Sequence, residues 1–403
     1  MVADIPYNHP MSNDFLSTDP YKGVRDFYPE DMAIQQYIFD TWSKTTESFG
    51  YERYDASVLE PASLYKSKGA VNEEIVNNQT YTFTDRGDRE VTLRPEMTPT
   101  VARMIAKKQK ELAFPVRWYS IPNLFRYERP QKGRLREHWQ LNCDMFGSDT
   151  VAADVEIIAL AHQLLLNFGA QPEMFEIRIN DRAWMNERFE QEGFTHEQSN
   201  AMLYLLDRKA KIDNFDEEAE KIAGKPFDLG LSDPAPDSRL GQVLAGLKQL
   251  GINNAKVSLS TVRGFDYYTG VIFEIFDVSG ENNRSLLGGG RYDNLTGLFS
   301  VDPVSGIGFG MGDVTMRDFL ETHNLPMKGT KSEHIVMIPT KPDQDNKAQM
   351  IATLIRQENA GTVVSIDYND RQVPKKIEAA RKKGASGYIV IDETDGHSIQ
   401  RFE

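Results

Sequence analysis

The sequence is short of several features that would place it in common protein classes. It has a single cysteine, Cys143, so no internal disulfide can form and nothing indicates an oxidising compartment. Its longest apolar run, around Ile157–Leu166, is interrupted by His162 and Gln163 and is too short to span a membrane. The polar N-terminus has neither the basic start nor the apolar stretch of a signal peptide. These absences predict a cytoplasmic protein with no membrane segment.

Positive charge is also scarce. There are 46 lysines and arginines against 60 acidic residues, which gives a formal net charge of −14. This balance argues against a protein that coats nucleic acid through bulk electrostatics, but local basic sites remain at 107–110, 126–136 and 371–383. There is no Walker-type phosphate loop and no GxGxxG that opens a helix, which argues against P-loop and dinucleotide-binding folds.

The pattern along the 403 residues predicts several domains. Residues 1–20 are expected to form a flexible leader, and residues 21–328 a catalytic body with a charge-rich helical insertion at about 182–254. Residues 331–403 alternate strand and helix patterns, which predicts a small α/β domain with parallel strands. The predicted strands of that domain are His334–Pro339, Thr362–Ile366 and Tyr388–Ile391, and its predicted helices are Asn346–Glu358 and Val373–Lys383.

The body is predicted to be α+β. Apolar residues at helical spacing predict a helix over Asp31–Phe49, which Gly50 ends, and a second helix over Val151–Leu166. Short apolar or β-branched runs predict strands at Tyr81–Phe83, Val91–Leu93, Val116–Ile121, Gln140–Phe146, Phe175–Ile179, Lys256–Leu259 and Val271–Phe276.

The stretch from Leu124 to Phe146 holds an unusual run of charged residues between two strand-like ends. A solvated basic hairpin is the ordinary explanation for such a run. If Arg126 and Glu128 continue the strand, however, they share a face with Leu124. A cation and a carboxylate on an apolar floor suit a nucleotide, because arginine can bind a phosphate through two bonds and a carboxylate can accept from an adenine amino group.

Two further stretches contain ligand-binding candidates. Tyr267 and Tyr268 fit either core packing or a pocket wall, whereas Arg263 beside them needs an anion if it is buried. The alternating glycines of Gly306–Gly312 would leave one face of a strand as bare backbone. That pattern fits either a weak edge strand or a surface that a planar ligand can approach closely.

Together these stretches resemble the class II aminoacyl-tRNA synthetases, and specifically the histidyl-tRNA synthetase family. The resemblance rests on TLRPEMTPTVAR at Thr92–Arg103, FRYERPQKGRLREHWQ at Phe125–Gln140 and RGFDYYTG at Arg263–Gly270, and it extends from about Gly23 to the end. It implies an antiparallel catalytic sheet with surrounding helices and a helical insertion, followed by a small anticodon-binding α/β domain that is abbreviated here. It also implies a homodimeric histidine–tRNA ligase that uses ATP, Mg²⁺, histidine and tRNA(His).

The resemblance implies roles for residues that would handle ATP. Arg126 would hold the α-phosphate, Glu128 would contact adenine, and Arg134 would reach the terminal phosphates. His138 occupies the position of the ring that stacks on adenine. Arg263 would be the catalytic cation, acting with Arg126 as the histidine carboxylate attacks phosphorus.

Other roles implied by the resemblance concern histidine and the metal. Glu96, Thr98 and Gln140 would bind the α-amino group. The imidazole would be read by Asp144 and by the tyrosine pair Tyr267 and Tyr268. Glu274 is the candidate ligand for Mg²⁺, which prefers oxygen and uses few protein carboxylates. The residues expected to face tRNA phosphates are Arg371, Lys375, Lys376, Arg381, Lys382 and Lys383.

The sequence departs from the family pattern at several positions. Ser57 stands where the first motif normally has proline, and Thr315 stands where the third motif usually ends in arginine. Arg317 lies two residues beyond Thr315, which on a helix points it in another direction. Asp144 occupies a position that often holds the longer glutamate. The dimer is expected to form through the helix at Asp31–Phe49 and the strand that follows it.

A rival function is a binding protein, the synthetase-like regulatory subunit of ATP phosphoribosyltransferase, which senses histidine and does not charge tRNA. Such a protein would keep histidine contacts such as Tyr268 and lose residues that handle ATP. Arg126, Glu128, Arg134 and Arg263 are all present and favour the enzyme, and the basic C-terminal unit does too. Thr315 and the short C-terminus favour the rival.

Overall fold

The computed structural model has the mixed α+β fold expected from the sequence. It describes residues 16–67, 78–131, 133–209, 212–227, 233–262, 268–282, 284–329, 332–359, 361–394 and 398–402. Arg263 and Tyr267, predicted to act at the site, and most of the predicted leader lie outside the described residues. The chain divides into two units, the first ending at Met327 and the second beginning at Lys328.

Within the described residues the α-helices begin and end as follows: α1 Pro29–Ser48, α2 Ala62–Lys66, α3 Thr98–Lys108, α4 Val151–Asn167, α5 Arg182–Gln191, α6 His196–Asp207, α7 Phe215–Ala223, α8 Arg239–Gln249, α9 Asp313–Thr322, α10 Asp345–Glu358 and α11 Val373–Lys382. The strands of the first unit are β1 Glu52–Arg53, β2 Leu59–Pro61, β3 Tyr81–Thr84, β4 Glu90–Leu93, β5 Val116–Ser120, β6 Asn123–Phe125, β7 Glu137–Phe146, β8 Phe175–Asp181, β9 Ala255–Val257, β10 Val271–Asp277, β11 Ser285–Tyr292 and β12 Gly306–Gly312. The strands of the second unit are β13 His334–Pro339, β14 Val363–Ile366, β15 Gly387–Ile391 and β16 Gln400–Arg401.

A nine-stranded sheet forms the centre of the first unit. Its order is β1-β5-β7-β12-β11-β10-β8-β9, with β6 paired to β7. The middle pairs are antiparallel, as predicted, and only the outer pairs β1–β5 and β8–β9 are parallel. Strands β2, β3 and β4 form a separate three-stranded sheet of order β2-β4-β3. In the sequence they lie between β1 and α3.

The two faces of the central sheet differ in polarity because side chains alternate along each strand. On β7, Leu141, Cys143 and Met145 are buried in the main hydrophobic core, which α1, α4, α8 and α9 cover. The alternate residues Gln140 and Asp144 belong to the opposite face, which carries polar groups beside a smaller hydrophobic cluster that includes Phe146 and Ile272. One face of the sheet therefore carries the main core, and the other combines the smaller cluster with polar groups that a site can use.

The helices between β8 and β9 separate into two groups. Helices α5 to α7 have a hydrophobic cluster of their own, which includes Met185, Phe189 and Met202. In contrast, α8 packs into the main core through buried residues such as Leu240 and Val243. The sequence prediction had placed α8 in the insertion, because an apolar stripe on a helix does not show which core it faces. The boundaries of the insertion stay a prediction.

The second unit contains a four-stranded sheet of order β14-β13-β15-β16, in which the first three strands are parallel and β16 is antiparallel. Helix α10 covers one face of β13, where Ile335 and Met337 meet Ala348. Helix α11 covers the other face, where Ile338 packs with Ala380. Among the described residues of both units, no helix has the length and apolar character needed to cross a membrane.

Candidate functional site

A small pocket opens on the polar face of the central sheet. Strands β7, β12 and β11 form its floor, and the start of α3 and the segment before β10 form its walls. The residues that line it are Glu96, Thr98, Gln140, Asn142, Tyr268, Gly288, Tyr292, Gly308, Phe309 and Gly310. Four of the residues predicted to bind histidine are among them.

The glycines of β12 are required by side chains that cross the strand. A Cβ at Gly308 would lie 2.3 Å from Asp144 Oδ1, and a Cβ at Gly310 would lie 2.6 Å from Gln140 Nε2. Both distances are far below van der Waals contact. The bare strand face predicted from the glycine alternation is therefore present, and it gives the side chains of the adjacent strand β7 a surface to lie on.

Asp144 is a buried acidic group that lies against Gly308 of the pocket lining. It is 3 % exposed, and its Oδ1 accepts a hydrogen bond from the hydroxyl of Tyr292. Its Oδ2 has no hydrogen-bond partner among the described residues. Burial raises the pKa of Asp144 to about 7, although the bond from Tyr292 opposes the shift. A buried acceptor of this kind calls for a donor, because unpaired polar atoms in a protein interior are rare.

Tyr292 was missed by the sequence reasoning. It is 2 % exposed and lies two residues beyond the three glycines of β11, so it shares a face with Gly288 and Gly290. The signal was present in the sequence, since the alternation of GGGRY places every second residue on the same side of a strand. Glycine is unfavourable inside strands, however, and no strand was predicted at this point.

Glu96 forms a second buried carboxylate at the pocket, between β4 and α3. It is 2 % exposed, and neither of its oxygens has a hydrogen-bond partner among the described residues. Burial raises the pKa of Glu96 to about 8, and the charge of Arg126 opposes this shift. Thr98 begins α3 just beyond it. Two buried carboxylates with three unpartnered oxygens make the pocket suited to a small ligand with several N–H donors.

The basic stretch between β6 and β7 forms a loop beside the pocket. Strand β6 ends at Phe125, so Arg126 and Glu128 lie in the loop. Contrary to the expectation from the sequence, they do not continue the strand that contains Leu124. Arg126 Nε donates to the carbonyl oxygen of Pro95 at 2.9 Å, which ties the loop to the segment that holds Glu96. Glu128 and Arg134 form an ion pair at 3.0 Å.

His138 lies on β7 opposite Leu124, where the loop ends. Burial lowers the pKa of His138 to about 3, and the charges of Arg126 and Arg25 lower it further. The ring is therefore neutral at physiological pH. A neutral aromatic ring next to an arginine is suited to stacking against a planar ligand.

The start of α9 has no cation at the position where the family usually has one. Thr315 Oγ1 donates to the carbonyl oxygens of Leu286 and Gly312, both at 3.3 Å. Arg317 is bound to Asp31 at 3.2 Å and to Glu321 at 2.9 Å, so it points to α1 and not to the pocket. This agrees with the direction expected for a shift of two residues on a helix.

Arg284, immediately before β11, is a cation that the sequence reasoning missed. A Cβ at Gly133, in the loop of Arg134, would lie 3.0 Å from Arg284 Cδ and 3.5 Å from its Nε. The carboxylate of Asp318 borders the same point at 3.9 Å. The arginine is thus in contact with the backbone of the loop, although nothing in the local sequence signals this.

Glu274, the candidate metal ligand, lies on β10 opposite Gly288 of the pocket lining. A Cβ at Gly288 would contact Glu274 Cγ at 3.4 Å, so the side chain lies over this glycine. Among the described residues, no group of three or more His, Cys, Asp or Glu side chains could hold a metal ion by itself. The donor set fits an ion that is held mainly by its substrate and by one carboxylate.

The prediction that Lys376 faces tRNA is wrong. Lys376 is 6 % exposed, and its Nζ donates to the carbonyl oxygens of Pro339 at 3.0 Å and Asp367 at 3.2 Å. The ammonium group thereby caps the ends of two strands and cannot reach a phosphate. The other basic residues of the set are exposed: Arg371, Lys375, Arg381, Lys382 and Lys383.

Comparison with known proteins gives a consistent result. The family model described as Histidyl-tRNA synthetase matches residues 23–224 and 234–313. The histidine–tRNA ligase of Leptospira biflexa is 44 % identical over 96 % of this chain and 92 % of its own length.

Two solved structures have a similar fold. The histidyl-tRNA synthetase of Nostoc sp. PCC 7120 is 21 % identical, with a TM-score of 0.78 over 96 % of this chain and 97 % of that one. The protein from Bacillus halodurans described as an ATP phosphoribosyltransferase regulatory subunit/histidyl-tRNA synthetase is also 21 % identical, with a TM-score of 0.73 over 94 % of this chain and 100 % of that one. At this level of identity the likeness shows the fold alone.

Proposed function

The chain belongs to the histidyl-tRNA synthetase family, and from this premise we propose that it is a histidine–tRNA ligase. It activates histidine with ATP to give histidyl-adenylate and pyrophosphate, and it then transfers histidine to the 3′ end of tRNA(His). The observation that supports this most directly is the pocket with two buried carboxyl groups, Glu96 in its lining and Asp144 against its lining residue Gly308. Histidine offers N–H donors to such a pocket from both its ammonium group and its imidazole.

Histidine binds with its ammonium group at the side of Glu96 and its imidazole at the side of Asp144. Thr98 and Gln140 add polar contacts to the ammonium group, and Tyr268 completes the imidazole site with Tyr267. Tyr292 joins this set because its hydroxyl fixes the orientation of the Asp144 carboxylate. An analogue that lacks the imidazole N–H leaves a buried carboxylate oxygen unpaired, which is the basis of strong rejection.

ATP binds along the loop between β6 and β7. Arg126 holds the α-phosphate, Glu128 accepts from the adenine amino group, Arg134 reaches the terminal phosphates, and His138 stacks on adenine. Binding in this way requires Glu128 and Arg134 to exchange their mutual ion pair for contacts with opposite ends of the nucleotide.

The chemical step is the attack of a histidine carboxylate oxygen on the α-phosphorus. The new P–O bond forms as the bond between the α-phosphorus and the bridging oxygen breaks, and pyrophosphate leaves with that electron pair. Arg263 and Arg126 stabilise the charge that develops on the α-phosphate. Phosphoryl and nucleotidyl transfers need little covalent help, so positioning and positive charge supply most of the rate.

Mg²⁺ would supply further neutralisation of the phosphates, with Glu274 as its protein ligand. Arg284 contributes a cation next to the loop of Arg134. Thr315 occupies the position where the third motif usually has arginine, and its hydroxyl donates to the carbonyl oxygen of Leu286, two residues beyond Arg284. Arg284 is therefore close to the position of the missing arginine. The terminal phosphates are therefore bound between the loop and the start of β11.

The exposed basic residues of α11 and its flanks contact tRNA phosphates, and each such contact makes the affinity more sensitive to salt. The residues of this surface are Arg371, Lys375, Arg381, Lys382 and Lys383. The protein works as a homodimer, formed through α1 and the following strand, since closed two-fold dimers are the commonest oligomers. Its location is the cytoplasm, where protein synthesis needs charged tRNA.

The experiment that tests the function is pyrophosphate exchange into ATP, with each of the twenty amino acids offered separately. Exchange with histidine alone supports the ligase and shows that Thr315 is compatible with activation. The rival function, a histidine-sensing regulatory subunit of ATP phosphoribosyltransferase, predicts no exchange with any amino acid although calorimetry detects histidine binding. A second assay with tRNA(His) and radiolabelled histidine tests the transfer step.

A further inference from the structure

A buried network of charged and polar side chains lies directly behind the pocket. Its centre is Arg291 on β11, which is 1 % exposed and points to the opposite face of the strand from its neighbour Tyr292. Arg291 donates to Asp154 Oδ1 of α4 at 2.9 Å through Nε and at 2.6 Å through Nη2. It also donates to the carbonyl oxygen of Ser148 at 3.0 Å.

Asp293, two residues further along, joins this network to the pocket wall. Its Oδ1 accepts from Ser305 Oγ at 2.7 Å and lies 3.4 Å from Arg291 Nη1. Its Oδ2 accepts from Thr269 Oγ1 at 2.6 Å. The backbone N–H of Asp293 donates back to the same hydroxyl at 3.2 Å. The hydroxyl of Thr269 therefore donates to and accepts from Asp293, and it also lies 3.3 Å from the carbonyl oxygen of Arg291.

Thr269 is held by its backbone as well, because its N–H donates to the carbonyl oxygen of Arg291 at 2.7 Å. The residue before it, Tyr268, lines the pocket. The ring of Tyr268 lies against Gly290, where a Cβ would be 3.1 Å from two ring carbons. A shift of Thr269 would displace the Tyr268 ring, since the two residues are adjacent.

We propose that Thr269 and Asp293 are positioning residues for histidine recognition, and that the ion pair of Arg291 with Asp154 anchors them. This proposal rests on the proposed function, because it concerns the same pocket. The network fixes the backbone that presents Tyr268 on one side and Tyr292 on the other. The ion pair of Arg291 with Asp154 is buried, whereas Thr269 and Asp293 are half-buried. Losing the bond between these two residues therefore costs about the net contribution of one ordinary hydrogen bond.

The sharpest test compares Thr269→Val with Thr269→Ser. Valine keeps the shape and removes the hydroxyl, whereas serine keeps the hydroxyl that donates to Asp293. We expect Thr269→Val to raise the KM for histidine about tenfold, which matches a net loss of about 1–1.5 kcal/mol for one hydrogen bond. The KM for ATP should stay within about twofold of the wild type in both variants, and Thr269→Ser should keep a KM for histidine near that of the wild type.

Asp293→Asn gives a second measurement of the same contact, and it should raise the KM for histidine while the KM for ATP is maintained. Two outcomes would overturn the proposal. One is a wild-type KM for histidine in Thr269→Val. The other is a loss of affinity for histidine and ATP by equal factors, together with a lower melting temperature, in both Thr269 variants. If the wild type shows no histidine-dependent exchange, the proposed function fails, and calorimetry with histidine alone still tests whether Thr269→Val weakens binding.

Discussion

A methyl group added at Gly308 has no free volume to occupy. Its carbon would lie 2.3 Å from Asp144 Oδ1 and 2.6 Å from the carbonyl oxygen of Cys143. That carbonyl belongs to the paired strand β7 and cannot move alone, so the carboxylate has to turn aside. The movement would break its hydrogen bond from Tyr292. We therefore expect Gly308→Ala to weaken histidine recognition.

Two contributions determine how much Gly308→Ala raises the KM for histidine, and both involve the displacement of the Asp144 carboxylate. Overpacking a filled site costs about 1–3 kcal/mol, and a lost hydrogen bond to a charged group costs about 1.5–3 kcal/mol. The two are not simply additive, because turning Asp144 aside relieves its own part of the overpacking and causes the second loss, whereas the close contact with the carbonyl oxygen of Cys143 remains. A net loss of about 1–3 kcal/mol corresponds to a rise of about 5- to 150-fold in the KM for histidine.

Gly312→Ala is the matched control on the same face of β12. Its Cβ would meet Thr315 Oγ1 at 3.5 Å, which is ordinary contact, and its φ of −81° suits alanine. Pyrophosphate exchange with histidine and ATP varied separately gives both KM values for each variant, and urea unfolding measures stability. The steric reasoning is refuted if both variants have the same KM for histidine, or if Gly308→Ala raises only the KM for ATP.

Two further predictions concern Glu96 and Arg284. Burial raises the pKa of Glu96 to about 8 from its ordinary value of 4.5. Between these pH values the folded chain keeps a proton that the unfolded chain releases. The free energy of unfolding therefore falls as the pH rises through this range. Glu96→Gln should therefore lose less stability than the wild type between pH 5 and 8 in urea unfolding, and an equal loss would contradict the assignment. Arg284→Ala should raise the KM for ATP about tenfold or more in the exchange assay, with little change in the KM for histidine, because a contact with a phosphate is lost. Arg317→Ala, which removes a cation bonded to Asp31 and Glu321, is its control, and equal effects of the two variants would count against a role of Arg284 in binding the phosphates.

The local pattern of apolar residues and glycines in the sequence was sufficient to predict much of the fold and the floor of the pocket. The apolar spacing of Asp31–Phe49 predicted α1 to within two residues at its start. The glycine alternation predicted the bounds and the bare face of β12. In both cases the signal lies within one element, where the period of the side chains determines which face is buried.

The remaining features depend on contacts between distant parts of the chain. A basic residue on a helix normally faces water, yet Lys376 is buried because two carbonyl oxygens at strand ends accept from its ammonium group. Arg284 is near the loop of Gly133 only because the sheet brings β11 there. The register between β7 and β11 also pairs Tyr292 with Asp144 across β12. Sequence patterns do not contain such pairings, so these residues were mispredicted or missed.

The only cysteine of the sequence lies on the strand that forms the pocket floor, with its side chain on the opposite face from Asp144. Cys143 is 0 % exposed, burial raises the pKa of its thiol, and its Sγ lies 3.8 Å from Thr46 Oγ1 of α1. A thiol reagent can reach it only when α1 separates from the sheet. The rate of labelling therefore measures how often this part of the fold opens, without any engineered probe. A ligand that binds on the other face of β7 and stabilises the closed sheet would slow that rate, so one chemical reaction reports the coupling between the pocket and the core beneath it.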